Sequence, residues 1–116
     1  MRYGLLAGCL LALGCLSDAT TDQFPPVVGF ITPLNGETVS GQVTINVEAL
    51  DETGIALVRI FADDTELAED TQFPYSTGWN TLNEDDGTHV LSAEAEDTNG
   101  NTRTVSITVT VDNTPG

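Results

Sequence analysis

Residues 103–111 alternate without a break: Val105, Ile107, Val109 and Val111 are apolar, and Thr104, Ser106, Thr108 and Thr110 between them are polar. A two-residue period sends successive side chains to opposite faces, so such a run buries one face and solvates the other only as an extended strand. Its β-branched side chains favour the same conformation, because their χ1 rotamers suit a pleated surface. The pattern recurs in Val43–Ala49, with the odd positions apolar, and in His89–Glu96, where Leu91, Ala93 and Ala95 oppose Ser92, Glu94 and Glu96. Val27–Ile31 is a further strand segment, and Glu66–Asp70 and Tyr75–Trp79 are candidates for sheet edges. Ile55–Ala62 is more continuously apolar and predicts a central strand buried on both faces. No stretch keeps an apolar spacing of three and four long enough for a helix. Breakers separate the runs: Asn35-Gly36, Asp51–Gly54, Asp63-Asp64, Phe73-Pro74, Asn83–Gly87 and Asn99-Gly100. About seven short strands with turns every 8–12 residues predict an all-β, two-sheet antiparallel β-sandwich.

The N-terminus has a different character. Arg2 precedes an uncharged stretch, Tyr3–Gly14, rich in Leu, Ala and Gly, which ends at Cys15. A basic start, an apolar segment and a small residue before the cut make up a secretory signal. The segment resembles a bacterial lipoprotein signal peptide, which implies a lipid on the cysteine after the cut. Leu6-Ala7-Gly8-Cys9 fits that motif better than Ala12-Leu13-Gly14-Cys15, but a cut before Cys9 leaves an apolar segment shorter than the roughly 7–15 residues expected. Cys15 is therefore the favoured lipidation site, with Cys9 the alternative. Asp18 and Asp22 end the run before the roughly 20 apolar residues of a membrane span. Leu16 rather than Asp follows Cys15, which by the same resemblance points to the outer membrane or cell surface. The expected organisation is a signal peptide at 1–14, a flexible tether at 15–24, a sandwich domain at 25–113 and a linker stub or tail at 114–116.

Both cysteines lie in the export segment, so the domain behind it has neither a disulfide nor a reactive thiol. The chain carries 18 Asp and Glu against 3 Arg and Lys. Past Arg2 the cations are Arg59 and Arg103 alone, which excludes nucleic acid as a partner, since phosphate binding depends on Lys and Arg. Colloidal stability at a cell surface explains the acidity without a ligand.

Several short motifs then carry a family resemblance. Val39–Ile45, Asp63–Leu67, Pro74-Tyr75-Ser76, Trp79-Asn80-Thr81, Asp86–His89, Asp97–Asn101 and Val109–Asn113 occur in an order that resembles the bacterial Ig-like domains repeated in secreted and surface proteins. The resemblance spans about Pro25 to Asn113 and implies an Ig-like β-sandwich used for spacing, adhesion or support of a neighbouring domain. Asp63-Asp64 stands where the family has Asp-Gly, so a looser turn is expected there.

Candidates for chemistry are few. His89 is the only histidine, and no nucleophile elbow, phosphate loop, HExxH or CxxC accompanies it. It reads as the opening of a strand, and no catalytic residue is assigned. Tyr75 and Trp79 share one strand face, where a core role outweighs a sugar-stacking platform. In the implied fold the loop holding Asp51 and Glu52 shares one end with the hairpin holding Asp97, Asn99 and Asn101. These hard oxygens suit calcium, which takes 6–8 oxygen ligands. Asn99-Gly100 also closes a hairpin without any metal, so the calcium reading and the metal-free one both stand. The resulting expectation is a non-catalytic envelope module, held to the membrane by a lipid and meeting a surface protein or polysaccharide. The alternatives are a polysaccharide-binding module and an accessory domain of a larger secreted enzyme.

Overall fold

The alternating runs form eight strands in the computed structural model, which describes residues 24–114. They are β1 (Val27–Thr32), β2 (Thr38–Val39), β3 (Gln42–Leu50), β4 (Ile55–Ala62), β5 (Thr65–Asp70), β6 (Tyr75–Asn80), β7 (Gly87–Asp97) and β8 (Thr102–Val111), with a 3-10 turn at Thr81–Asn83. One sheet has the order β1-β3-β6 and the other β2-β8-β7-β4-β5. The lipid signal, with Cys9 and Cys15, lies outside the described residues.

The inner faces are those the alternation marks. Val28, Ile45, Val47, Tyr75 and Trp79 of the smaller sheet meet Val58, Ile60, Ala62, Leu91, Ala93, Ala95, Val109 and Val111 of the larger. Small Ala93 and Ala95 on β7 leave room opposite the bulky side chains, as close packing requires.

The two-sheet β-sandwich is the one expected, and one short pairing in it is parallel: β2 runs beside β8, Thr38 next to Thr110 and Val39 next to Val111. The chain crosses from one sheet to the other between Thr32 and Thr38 without reversing, so its second half can only lie parallel to β8. Two expectations need correction. β4 is not buried on both faces. It is hydrogen-bonded on both sides, to β5 and β7, but Val58, Ile60 and Ala62 point inward while Leu57, Arg59 and Phe61 are only half-buried on the outer face. Arg59 lies directly across from Glu69 on β5 and Glu94 on β7, at 3.4 and 3.3 Å. This three-strand charge ladder lies on the same outer face as Leu57 and Phe61.

The Asp63-Asp64 turn is also tighter than expected, with Ala62 and Thr65 paired across it. Asp63 alone among the described non-glycine residues takes a positive φ, 53°. The left-handed strain falls on the first turn residue, so Asp64 needs no glycine's freedom.

Candidate functional site

The acidic and aromatic residues singled out by sequence collect at the two poles of the sandwich. At the N-terminal pole, Val27 of β1 pairs with Leu50 of β3. The β3–β4 and β7–β8 loops are joined there, Thr98 donating through N to the Gly54 carbonyl at 3.1 Å and through Oγ1 to the Thr53 carbonyl at 3.0 Å. The structure thus brings Asp51 and Glu52 to the same end as Asp97, Asn99 and Asn101. The Asp97 carboxylate and Asp51 Oδ1, however, turn back onto their own loops, while Glu52 and Asn99 are exposed. Asp97 is 1% exposed. Its Oδ1 accepts from the backbone N–H groups of Asn99 and Asn101, both at 2.9 Å, and its Oδ2 from Asn101 Nδ2 at 3.0 Å. Asp51 Oδ1 accepts from Thr53 N at 2.9 Å and Thr53 Oγ1 at 2.7 Å. A cation at Asp97 would have to compete with these donors. Beside the loops, exposed Phe24, Val27 and Leu50 line an open groove of 490 Å³ with Pro25, Asp51 and Glu52.

The C-terminal pole holds a polar knot that the sequence did not announce. Thr81, fully buried, donates through both N and Oγ1 to the Gly41 carbonyl, at 3.0 and 2.7 Å. Asn113 accepts from Gly41 N at 2.8 Å and donates to the Thr81 carbonyl at 3.0 Å. Asp86 accepts from Asn113 N at 2.9 Å and from Thr114 Oγ1 at 3.1 Å. Gly41, at φ 64°, gives the turn both its shape and its amide. The signals were the short motifs Val39–Ile45, Trp79-Asn80-Thr81, Asp86–His89 and Val109–Asn113, whose function was not readable from residue type.

His89 sits at this same pole. Its side chain is 11% exposed. Nδ1 lies 2.7 Å from Asp63 Oδ2 and Nε2 lies 2.7 Å from the Asp85 carbonyl, with the Trp79 ring edge-on at 5.8 Å. Asp63 also exchanges two bonds with Val90: its N donates to the Val90 carbonyl at 2.7 Å, and its Oδ1 accepts from Val90 N at 3.1 Å. The carboxylate therefore continues the β4–β7 ladder where the β4–β5 turn has left it. The Asp85 carbonyl, then the Asp63 carboxylate, raise the imidazole pKa above its ordinary 6.5 against the effect of burial, and Glu84 adds to the rise. Burial works to raise the Asp63 carboxyl, but bonds from His89 and Val90 outweigh it and hold it below its ordinary value. Asp63, Glu84 and His89 bring one ligand atom each within 4.8 Å of one another. Both imidazole nitrogens are already engaged, which leaves the ring neither a general base nor a ligand in this arrangement.

Tyr75 and Trp79 are 7% and 2% exposed, so both are core residues and neither offers a stacking surface. Phe73, exposed, meets Tyr75 edge-on at 6.1 Å. No helix among the described residues is long and apolar enough to cross a membrane.

The bacterial Ig domain family matches residues 26–109. The chain belongs to that family. This bacterial Ig domain also shares its fold with solved structures of low identity. The fibronectin(III)-like modules of Clostridium thermocellum CbhA superpose with a TM-score of 0.64 at 23% identity, over 73% of this chain and 94% of theirs. The endo-beta-1,4-mannanase of Thermotoga petrophila does so at 0.68 and 21%, over 80% of this chain but only 21% of that enzyme. The PKD1 domain of Vibrio anguillarum Epp does so at 0.60 and 18%, over 80% of this chain and all of that domain. No curated protein matches the chain. These likenesses establish the sandwich fold for the bacterial Ig domain, and no more than the fold.

Proposed function

We propose that this bacterial Ig domain is a non-catalytic module of the cell envelope, exported by residues 1–14, lipid-anchored at Cys15 and acting as a surface spacer or adhesion domain. One observation carries the reading: the chain arrives at the N-terminal pole, beside Leu50 and the β3–β4 loop, and leaves at the opposite pole, where Asn113 is held by Gly41 and Thr81. A module built this way holds the segments on its two sides apart. The separation is the length of its strands, roughly 34 Å for ten residues at about 3.4 Å each. The acidic surface supports the same reading, because it keeps neighbouring copies apart.

Metabolic labelling with a radioactive fatty acid in the native cell tests the anchor. Label is expected on the chain and on its Cys9→Ser variant, and absent from Cys15→Ser. Loss of label in Cys9→Ser alone would move the anchor to Cys9, and no label in any form would remove it. Exchanging residues 25–113 for an unrelated sandwich of equal length tests the spacer: display of the neighbouring segments should survive the exchange.

A second reading, an accessory domain of a larger secreted enzyme, is favoured by the likeness to a portion of the mannanase. Sequencing the transcript beyond the codon for Gly116 decides it. The polysaccharide reading has weaker support, because Tyr75 and Trp79 are committed to the core. A glycan array is expected to be negative.

A further inference from the structure

Both ring nitrogens of His89 face hydrogen-bond acceptors, the Asp85 carbonyl at Nε2 and Asp63 Oδ2 at Nδ1. A neutral imidazole has one N–H and one lone pair. With Nε2–H on the carbonyl, its remaining lone pair would point at the ionised Asp63. Only the imidazolium donates to both. The ring is largely buried, so water has little access to supply the missing donor.

The two acceptors belong to different elements, Asp63 to the β4–β5 turn and Asp85 to the loop after the 3-10 turn. The next residue of that loop, Asp86, holds Asn113 N and Thr114 Oγ1 as the chain leaves β8. We propose that protonated His89 is a latch on the C-terminal pole, which ties the Asp85-Asp86 loop to the β4–β5 turn and releases residues 112–114 when the ring loses its proton.

The charged groups facing the ring are Asp63 from the β4–β5 turn and Glu84 from the loop. β6 presents the uncharged Trp79, and β8 the uncharged Val109 across from His89. Deprotonation leaves Asp63 and Glu84 with no cation between them. Linkage sets the sign. A raised histidine pKa contributes stability that is complete below the unfolded value of 6.5 and disappears as pH rises through the folded value. Asp63 acts in the opposite direction: its contribution is present above its unfolded value of 3.8 and is lost as pH falls through its lowered folded value. The latch is closed between these limits.

The chain has one histidine, so an NMR titration of the imidazole reads His89 without assignment. The expected midpoint lies above 6.5. Across it the melting temperature should fall by roughly 4–8 °C, the scale of a modest stability loss in a domain of this size. Hydrogen-exchange protection of the Asn113 amide, corrected for intrinsic rates, should drop about tenfold, a loss of about 1.4 kcal/mol. His89→Gln should flatten both profiles. Asp63→Asn keeps an acceptor for Val90 N, and should move the midpoint downward even if His89→Gln folds poorly. A midpoint at or below 6.5, a midpoint unmoved in Asp63→Asn, a melting profile shared by His89→Gln, or Asn113 protection indifferent to pH would each overturn the latch.

Discussion

Trp79 is 2% exposed, yet its indole Nε1 is buried without a hydrogen-bond partner. Its contribution is therefore apolar volume. Trp79→Ala should cost about 3–5 kcal/mol, the usual penalty for emptying such a site, and Trp79→Phe clearly less, because no hydrogen bond is lost; urea unfolding measures both. Asp97 is the opposite case, a buried carboxylate whose value is wholly polar. Asp97→Ala would remove the acceptor of the Asn99 and Asn101 backbone amides and should cost about 2 kcal/mol, with the largest exchange increase in the β7–β8 loop. Sequence alone marked Trp79 and Tyr75 as core, because parity on a strand reveals a shared face. It left Asp97 between ligand and turn residue, because an acid beside Asn99-Gly100 has the same composition whether its oxygens point out or back. Here they point back, and the hairpin closes over four residues, Thr98–Asn101, rather than two.

Among the elements, those with a full period were legible and those without were not. β3, β7 and β8 run nine to eleven residues, long enough for alternation to fix the buried face. β2 has two residues and no period at all. β4 misled because Leu57 and Phe61 are apolar on a face that also carries the Arg59 ion pairs and is only half-buried. Register across a sheet is a tertiary property, and nothing within Ile55–Ala62 discloses that Glu69 and Glu94 flank Arg59. Arg59→Gln should therefore cost more than an isolated surface ion pair, about 1 kcal/mol, since two carboxylates then face each other across β4 without a cation. Added salt should shrink the difference between wild type and variant in thermal melts, as screening predicts.

For the molecule as a whole, the sandwich and the sharing of each pole by particular loops come from the order of strands and turns, and the motifs carried that order. The contents of the poles were not legible in the same way. The Gly41–Thr81–Asn113 knot joins residues up to 72 positions apart, a distance over which residue types give no signal. The calcium expectation illustrates the same limit: Asp51 and Asp97 reach one end, but both carboxylates already accept from their own loops. Melting in millimolar calcium and in excess chelator should agree within about 1 °C, since a bound ligand present at 100 times its Kd would add about 2.7 kcal/mol. A rise with calcium would mean that the loops reopen to coordinate it.

The short parallel pairing at β2 has a mechanical meaning. Beside the pairing of Thr38 with Thr110 and Val39 with Val111, residues 35–39 and 108–112 are joined by bonds on either side of it: Asn35 Oδ1 accepts from Thr108 N, Gly36 N donates to the Thr108 carbonyl, Thr110 N to the Glu37 carbonyl, and Asp112 N to the Val39 carbonyl. A pull applied at the two ends of the domain drags these segments in opposite directions along their common axis. These contacts are then sheared side by side rather than unzipped in turn, so a pulling force meets its resistance in one step at this seam.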